Sequence, residues 1–162
     1  MINVKRPLII VSLVVVLFSG VGMFLFTNNS TLTLYHPRTD EVFMEFPVQP
    51  GDEFTLRWIH SVEKTPWEET LLVKTDGSFS LTESRFQSYG AGTAAYGRGD
   101  TRVEDGYIVT THTEEDTYET YNWYHSHDAQ FALHKNGSSI VHWADLPHHQ
   151  PIEMAIEAKG TR

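Results

Sequence analysis

The sequence predicts an all-β fold: a single antiparallel sandwich or partly closed barrel of about eight or nine strands, preceded by one N-terminal transmembrane helix. Three observations carry this. One uncharged apolar run stands at the N-terminus, Pro7 to Phe26. After it the hydrophobic period is two, not 3.6, and no amphipathic helix is legible. Turn signals, Asp76-Gly77 and Asn136-Gly137 among them, recur at the spacing of short strands.

The apolar run defines the first domain boundary. At 1.5 Å per residue it spans about 30 Å, the thickness of a bilayer's hydrocarbon core. Lys5 and Arg6 precede it, which places residues 1–6 in the cytoplasm and the rest outside. Residues 27–31 form a polar linker, and residues 32–162 an extracytoplasmic β domain. The alternative is a signal peptide cut after Gly22, which would leave a secreted domain. The apolar continuation Met23-Phe24-Leu25-Phe26 favours an uncleaved anchor.

The strands follow in order. Thr31–His36 alternates with Leu32 and Leu34 on one face, and His36–Glu41 turns. Glu53–His60 places Phe54, Leu56, Trp58 and His60 on one face. Glu69–Thr75 and Ser78–Phe86 flank Asp76-Gly77. Tyr107–His112 is a strand, and Thr120–Tyr124 a short one. Ala129–Lys135 and Ser138–Trp143 flank Asn136-Gly137. Pro151–Ala158 alternates Ile152, Met154 and Ile156 against glutamates.

Composition narrows the function. The chain carries a net charge of −9, which argues against nucleic acid and against anionic lipid headgroups as partners. With no cysteine there are no disulfides, thiolate metal sites, cysteine nucleophiles or lipoprotein anchors.

The stretch Trp58 to Glu69, "WIHSVEKTPWEE", concentrates ionisable and aromatic residues around one proline. Alternation points His60 toward the core side, with Glu63 or Glu69 as expected hydrogen-bond partners. Pro66 is expected to end ladder pairing, making Ser61 to Glu68 a structured connection of the kind that carries binding residues. His60, Ser61, Glu63, Glu68 and Glu69 form a candidate site there. Ser61 beside His60 is no nucleophile–base pair, since strand neighbours point oppositely.

The other motifs are weaker. Gly90, Gly92 and Ala95 match a loose dinucleotide pattern, but Gly97 and Gly99 exclude the helix it needs. These glycines suit a tight bend or a close approach of backbone to another segment. Arg98 to Asp100, "RGD", is short enough for chance. His125 and His127 would share a strand face, as in some metal sites, yet the glutamate and glycine of a cupin are missing. His148-His149 reads as an exposed turn. The aromatics of "YETYNWYH" suit cross-strand packing better than a sugar-stacking patch. No metal, cofactor or catalytic constellation is assigned.

Two blocks resemble a known family. "FTLRWIHSVEKTPWEE" (Phe54 to Glu69) and "SRFQSYGAGT" (Ser84 to Thr93) resemble the bacterial domain of unknown function 1850. His60, Ser61, Val62, Glu63, Thr65, Pro66, Glu69, Phe86, Ser88, Gly90, Ala91 and Gly92 fall on its pattern. The resemblance implies an exported companion of TAXI-type TRAP transporters and carries no activity. The expectation is a membrane-anchored accessory protein. Its ligand- or partner-binding surface would comprise His60, Ser61, Glu63, Thr65, Pro66, Glu69, Ser88, Gly90, Ala91 and Gly92. The partner would be a TAXI-type TRAP permease or its substrate-binding protein. A stand-alone metal- or ligand-binding module is the alternative, and a hydrolase a remoter one.

Overall fold

The computed structural model describes residues 30–88, 99–113 and 116–158. Twelve strands form among them. They are β1 (Ser30–Tyr35), β2 (Val42–Val48), β3 (Glu53–Ile59), β4 (Pro66–Val73), β5 (Phe79–Phe86) and β6 (Asp100–Glu104). Then come β7 (Tyr107–Thr111), β8 (Thr117–Tyr118), β9 (Thr120–His125), β10 (Ala132–Lys135), β11 (Ser138–Val141) and β12 (Gln150–Ala158). A 3-10 turn, Trp143–Asp145, separates the last two. No helix among the described residues is long and apolar enough to cross a membrane. The expected anchor, Pro7 to Phe26, lies outside the described residues.

The strands form two antiparallel sheets. The small sheet has the order β2-β1-β12-β9, and the large sheet β11-β10-β3-β4-β5-β7-β6, with β8 on the far end of β5. Neither closes into a barrel, so the sandwich alternative holds and the barrel does not. The expected eight or nine strands become twelve because β2, β6 and β8 were not read from the sequence. β2 contains Pro47 and sits at a sheet edge, where a missing N–H leaves no ladder bond unmade. All five residues of β6 are exposed, so no alternation marks it.

One core serves both sheets. Leu32, Leu34, Ile152 and Met154 from the small sheet meet Phe54, Leu56, Leu71, Phe79 and Leu133 from the large one, all nearly or wholly buried. Each such side chain contributes roughly 1.5–3 kcal/mol on burial. The predicted alternation of β1, β3 and β12 sends these residues inward.

Turn chemistry fixes the hairpins. Asn136 and Gly137 both take positive φ, 48° and 79°, between β10 and β11, the signature of a type I′ turn. Asp105 and Gly106 do the same between β6 and β7, at 50° and 80°. Asp76-Gly77 forms a longer turn, in which Lys74 N–H donates to the Ser78 carbonyl at 2.9 Å and Gly77 alone has positive φ. Gly99 is required: a Cβ there would lie 1.8 Å from the Thr111 carbonyl oxygen.

The β10–β11 hairpin is locked to the β2–β3 connection by Asp52, which is 4% exposed. Its carboxylate pairs with Lys135 Nζ at 2.8 Å and accepts from Asn136 Nδ2 and the Gln49 amide, each at 2.9 Å. Burial alone would push the Asp52 carboxyl up. The bonds from Lys135, Asn136 and Gln49 outweigh it and hold the carboxyl below the usual range. Asp52→Asn keeps the shape and removes the charge. It should lower the unfolding free energy by about 2 kcal/mol in urea denaturation, and an unchanged midpoint would show the lock to be idle.

Candidate functional site

The large sheet's register sets an aromatic row at one end of the sandwich. Trp58 on β3 pairs with Trp67 on β4, and Trp67 with Phe86 on β5. Phe131, just before β10, completes it. Successive ring centroids are 5.6, 5.7 and 4.6 Å apart from Phe131 through Trp58 and Trp67 to Phe86. His60, two residues past Trp58, stacks on Trp67 at 5.6 Å. Beside this row lies a cleft of about 640 Å³, lined also by Tyr124, Ser126 and Asp128. That volume suits a small-molecule ligand.

Glu69 gives the cleft its chemistry. Between Trp67 and Leu71 on β4, it shares their inward face. Its carboxylate accepts from Trp67 Nε1 at 3.2 Å and from the Tyr121 hydroxyl. Tyr121 belongs to β9, so that bond crosses between the sheets. Burial pushes the Glu69 carboxyl above its ordinary value, and the Trp67 bond pulls it only partly back. No ion pair joins Glu69 to a basic side chain among the described residues.

The β3–β4 connection forms the rim. His60 N–H donates to the Thr65 carbonyl and Lys64 N–H to the His60 carbonyl, both at 2.9 Å. Lys64 takes φ 57°, a left-handed conformation that closes the loop. His60 Nδ1 accepts from the Glu63 backbone N–H at 3.1 Å, so the expected tie to Glu63 exists but runs through its amide. Pro66 does not end the ladder. It opens β4 and pairs with Ile59, while the Ile59 N–H turns to the Ala129 carbonyl at 2.7 Å. The connection is therefore shorter than Ser61 to Glu68, and Glu68 is a strand residue bonded to Arg57 at 3.3 Å.

Of the predicted residues, His60, Ser61 and Glu69 line the cleft. Thr65 and Pro66 shape its rim. Glu63 is exposed and accepts from Ser88 Oγ at 3.1 Å, which brings the two sequence blocks together at the rim. Gly90, Ala91 and Gly92 lie outside the described residues. Trp58, Trp67, Phe131, Tyr121 and Asp128 were not singled out. The stride of β3 already put Trp58 on the face of His60, whereas Tyr121 arrives from the other sheet and Asp128 from the β9–β10 loop.

The histidine motif is structural here. His125 is fully buried. Its Nε2 donates to the Trp143 carbonyl at 2.9 Å, and its Nδ1 accepts from Trp123 Nε1 at 3.4 Å. His127 Nε2 donates to the Leu146 carbonyl at 2.9 Å. The pair clamps the 3-10 turn, and burial lowers the His125 pKa. Asp128, His148 and His149 bring ligand atoms within 4.8 Å of one another at the surface. His148 Nδ1 already accepts from the His127 amide at 2.9 Å. The neutral ring then carries its proton on Nε2, which a metal there would have to displace.

A second polar chain was invisible in the sequence. Ser84 Oγ lies 2.8 Å from His112 Nε2, and His112 Nδ1 lies 3.3 Å from Asp116 Oδ2. This is the order of nucleophile, base and orienter. Ser84 is 6% exposed, however, and sits mid-strand between β4 and β7. Its amide and that of Arg85 are committed to the ladders, which leaves them unable to form an oxyanion hole.

A family model described as "Domain of unknown function (DUF1850)" matches residues 54–141, more than half of the chain. No curated protein and no solved structure matches it.

The perturbed Glu69 has a pH signature. Its folded carboxyl binds a proton at higher pH than the unfolded chain does, whose ordinary value is 4.5. Its contribution is fully present below 4.5 and is lost as pH rises through the folded value. His125 acts oppositely, losing stability as pH falls from 6.5 through its lowered value. It cancels when wild type is compared with Glu69→Gln. The wild-type-minus-variant unfolding free energy should fall between pH 4.5 and neutrality by about 1.4 kcal/mol per unit of upward shift. A flat difference would place Glu69 in water.

Proposed function

The chain belongs to the DUF1850 family, and from that membership we propose that it is a membrane-anchored extracytoplasmic binding protein serving a TAXI-type TRAP uptake system. The observation that carries the binding reading is the cleft: an aromatic row and an inward carboxylate open to solvent beside the His60–Thr65 loop. An inward-facing glutamate weakens a sandwich core, so its place beside a cleft fits a ligand-handling role. Val62, 64% exposed at the loop tip, offers an apolar contact for a protein partner. The anchor reading rests on Lys5, Arg6 and the Pro7–Phe26 run. The transporter link rests on the family resemblance.

The test is co-purification from native membranes in mild detergent, with the tag at the C-terminus. Wild type should recover a TRAP permease or its substrate-binding protein, and Val62→Asp should lose it. Recovery of this chain alone would favour a stand-alone binding module. A second reading, a serine hydrolase, rests on the Ser84–His112–Asp116 chain. A fluorophosphonate probe separates the two: the binding reading predicts no covalent label on Ser84, and stoichiometric labelling abolished in His112→Ala would establish the hydrolase.

A further inference from the structure

We propose that the cleft binds a small organic ammonium ion, with Glu69 as its counter-ion. This rests on the reading of the cleft as a ligand site and names the class of ligand.

The sign of the charge is the first argument. The Glu69 carboxylate is held by two neutral donors, Trp67 Nε1 and the Tyr121 hydroxyl, and by no ion pair among the described residues. A carboxylate withdrawn from water without a cation is costly. A ligand that supplies the cation offsets that cost.

The walls are the second argument. Trp58, Trp67 and Phe131 give the cleft an aromatic side. An aromatic wall buries the carbon of an alkylated ammonium group and leaves its charge to Glu69. A strongly hydrated inorganic cation gains nothing from such walls. Asp128, an exposed lining residue, adds a second carboxylate, and the net charge of −9 enriches cations nearby. Among the described lining residues Lys64 carries the opposing charge, exposed on the loop and screened by solvent. His60 accepts a backbone N–H at Nδ1 and stacks on Trp67.

The experiment compares two probes of one shape. Choline and 3,3-dimethyl-1-butanol differ by a nitrogen and its charge. Each is titrated calorimetrically into the full chain in a maltoside detergent, with pivalate as an anionic control. Choline should bind at least about ten-fold more tightly than the alcohol, a difference of about 1.4 kcal/mol. Glu69→Gln should bring the two together while the alcohol's affinity stays the same. Equal affinities in wild type, with binding lost in Trp58→Ala, would overturn the ammonium class and leave the cleft a ligand site. Tighter binding of pivalate would overturn it in favour of an anion. A choline preference surviving Glu69→Gln would overturn Glu69 as the counter-ion. No binding by any probe would overturn this proposal and the small-ligand reading together.

Discussion

The hydrogen bond from Tyr121 to Glu69 is the contact on which the site end of the molecule depends. It joins β9 of the small sheet to β4 of the large one across what would otherwise be a dry interior. Strand register makes it unavoidable. Once Trp67, Leu71 and Val73 face inward, Glu69 must face inward with them. A carboxylate there needs donors, and Trp67 and Tyr121 are the donors it has. The sandwich therefore changes character along its strands. On one side of Glu69 the sheets meet through Phe54, Leu71 and Met154. On the other they part around the aromatic cleft.

The neighbouring polar groups follow the same logic. Ser84 pairs with Glu69 across β4 and β5 and shares its row. Its hydroxyl is answered by His112, and His112 by Asp116. On the far side, His125 and His127 hold the carbonyls of Trp143 and Leu146, bracing the turn that leads into β12. Buried polar groups that are fully partnered rigidify what surrounds them. At this end of the domain they form a frame around a space that apolar packing does not fill.

Much of the frame was legible in the residues. The stride of β3 placed Phe54, Leu56, Trp58 and His60 on one face, and they stand there. The two glycine-containing hairpins formed, and the glutamate alternation of β12 buried Ile152 and Met154. What escaped was of two kinds. β2 and β6 are edge strands, where one or both faces meet water and alternation fades; Asp105-Gly106 was nonetheless a readable signal for the β6–β7 hairpin. The cleft depends on contacts between strands remote in sequence. Tyr121 is 52 residues from Glu69 and His112 is 28 from Ser84, and period-two reasoning says which face a residue takes, not which residue of another sheet it meets. Pro66 misled for a simpler reason: at the first position of a strand its missing N–H costs the ladder nothing.

Glu69 stands as an inward, hydrogen-bonded carboxylate with no counter-cation among the described residues. A carbon-13 NMR titration of its side-chain carboxyl in the folded chain tests it most directly. The midpoint should lie above the ordinary 4.5, move in Tyr121→Phe and fall when a cation occupies the cleft. A midpoint at the ordinary value, indifferent to Tyr121, would put the carboxylate in water and remove the basis for the site.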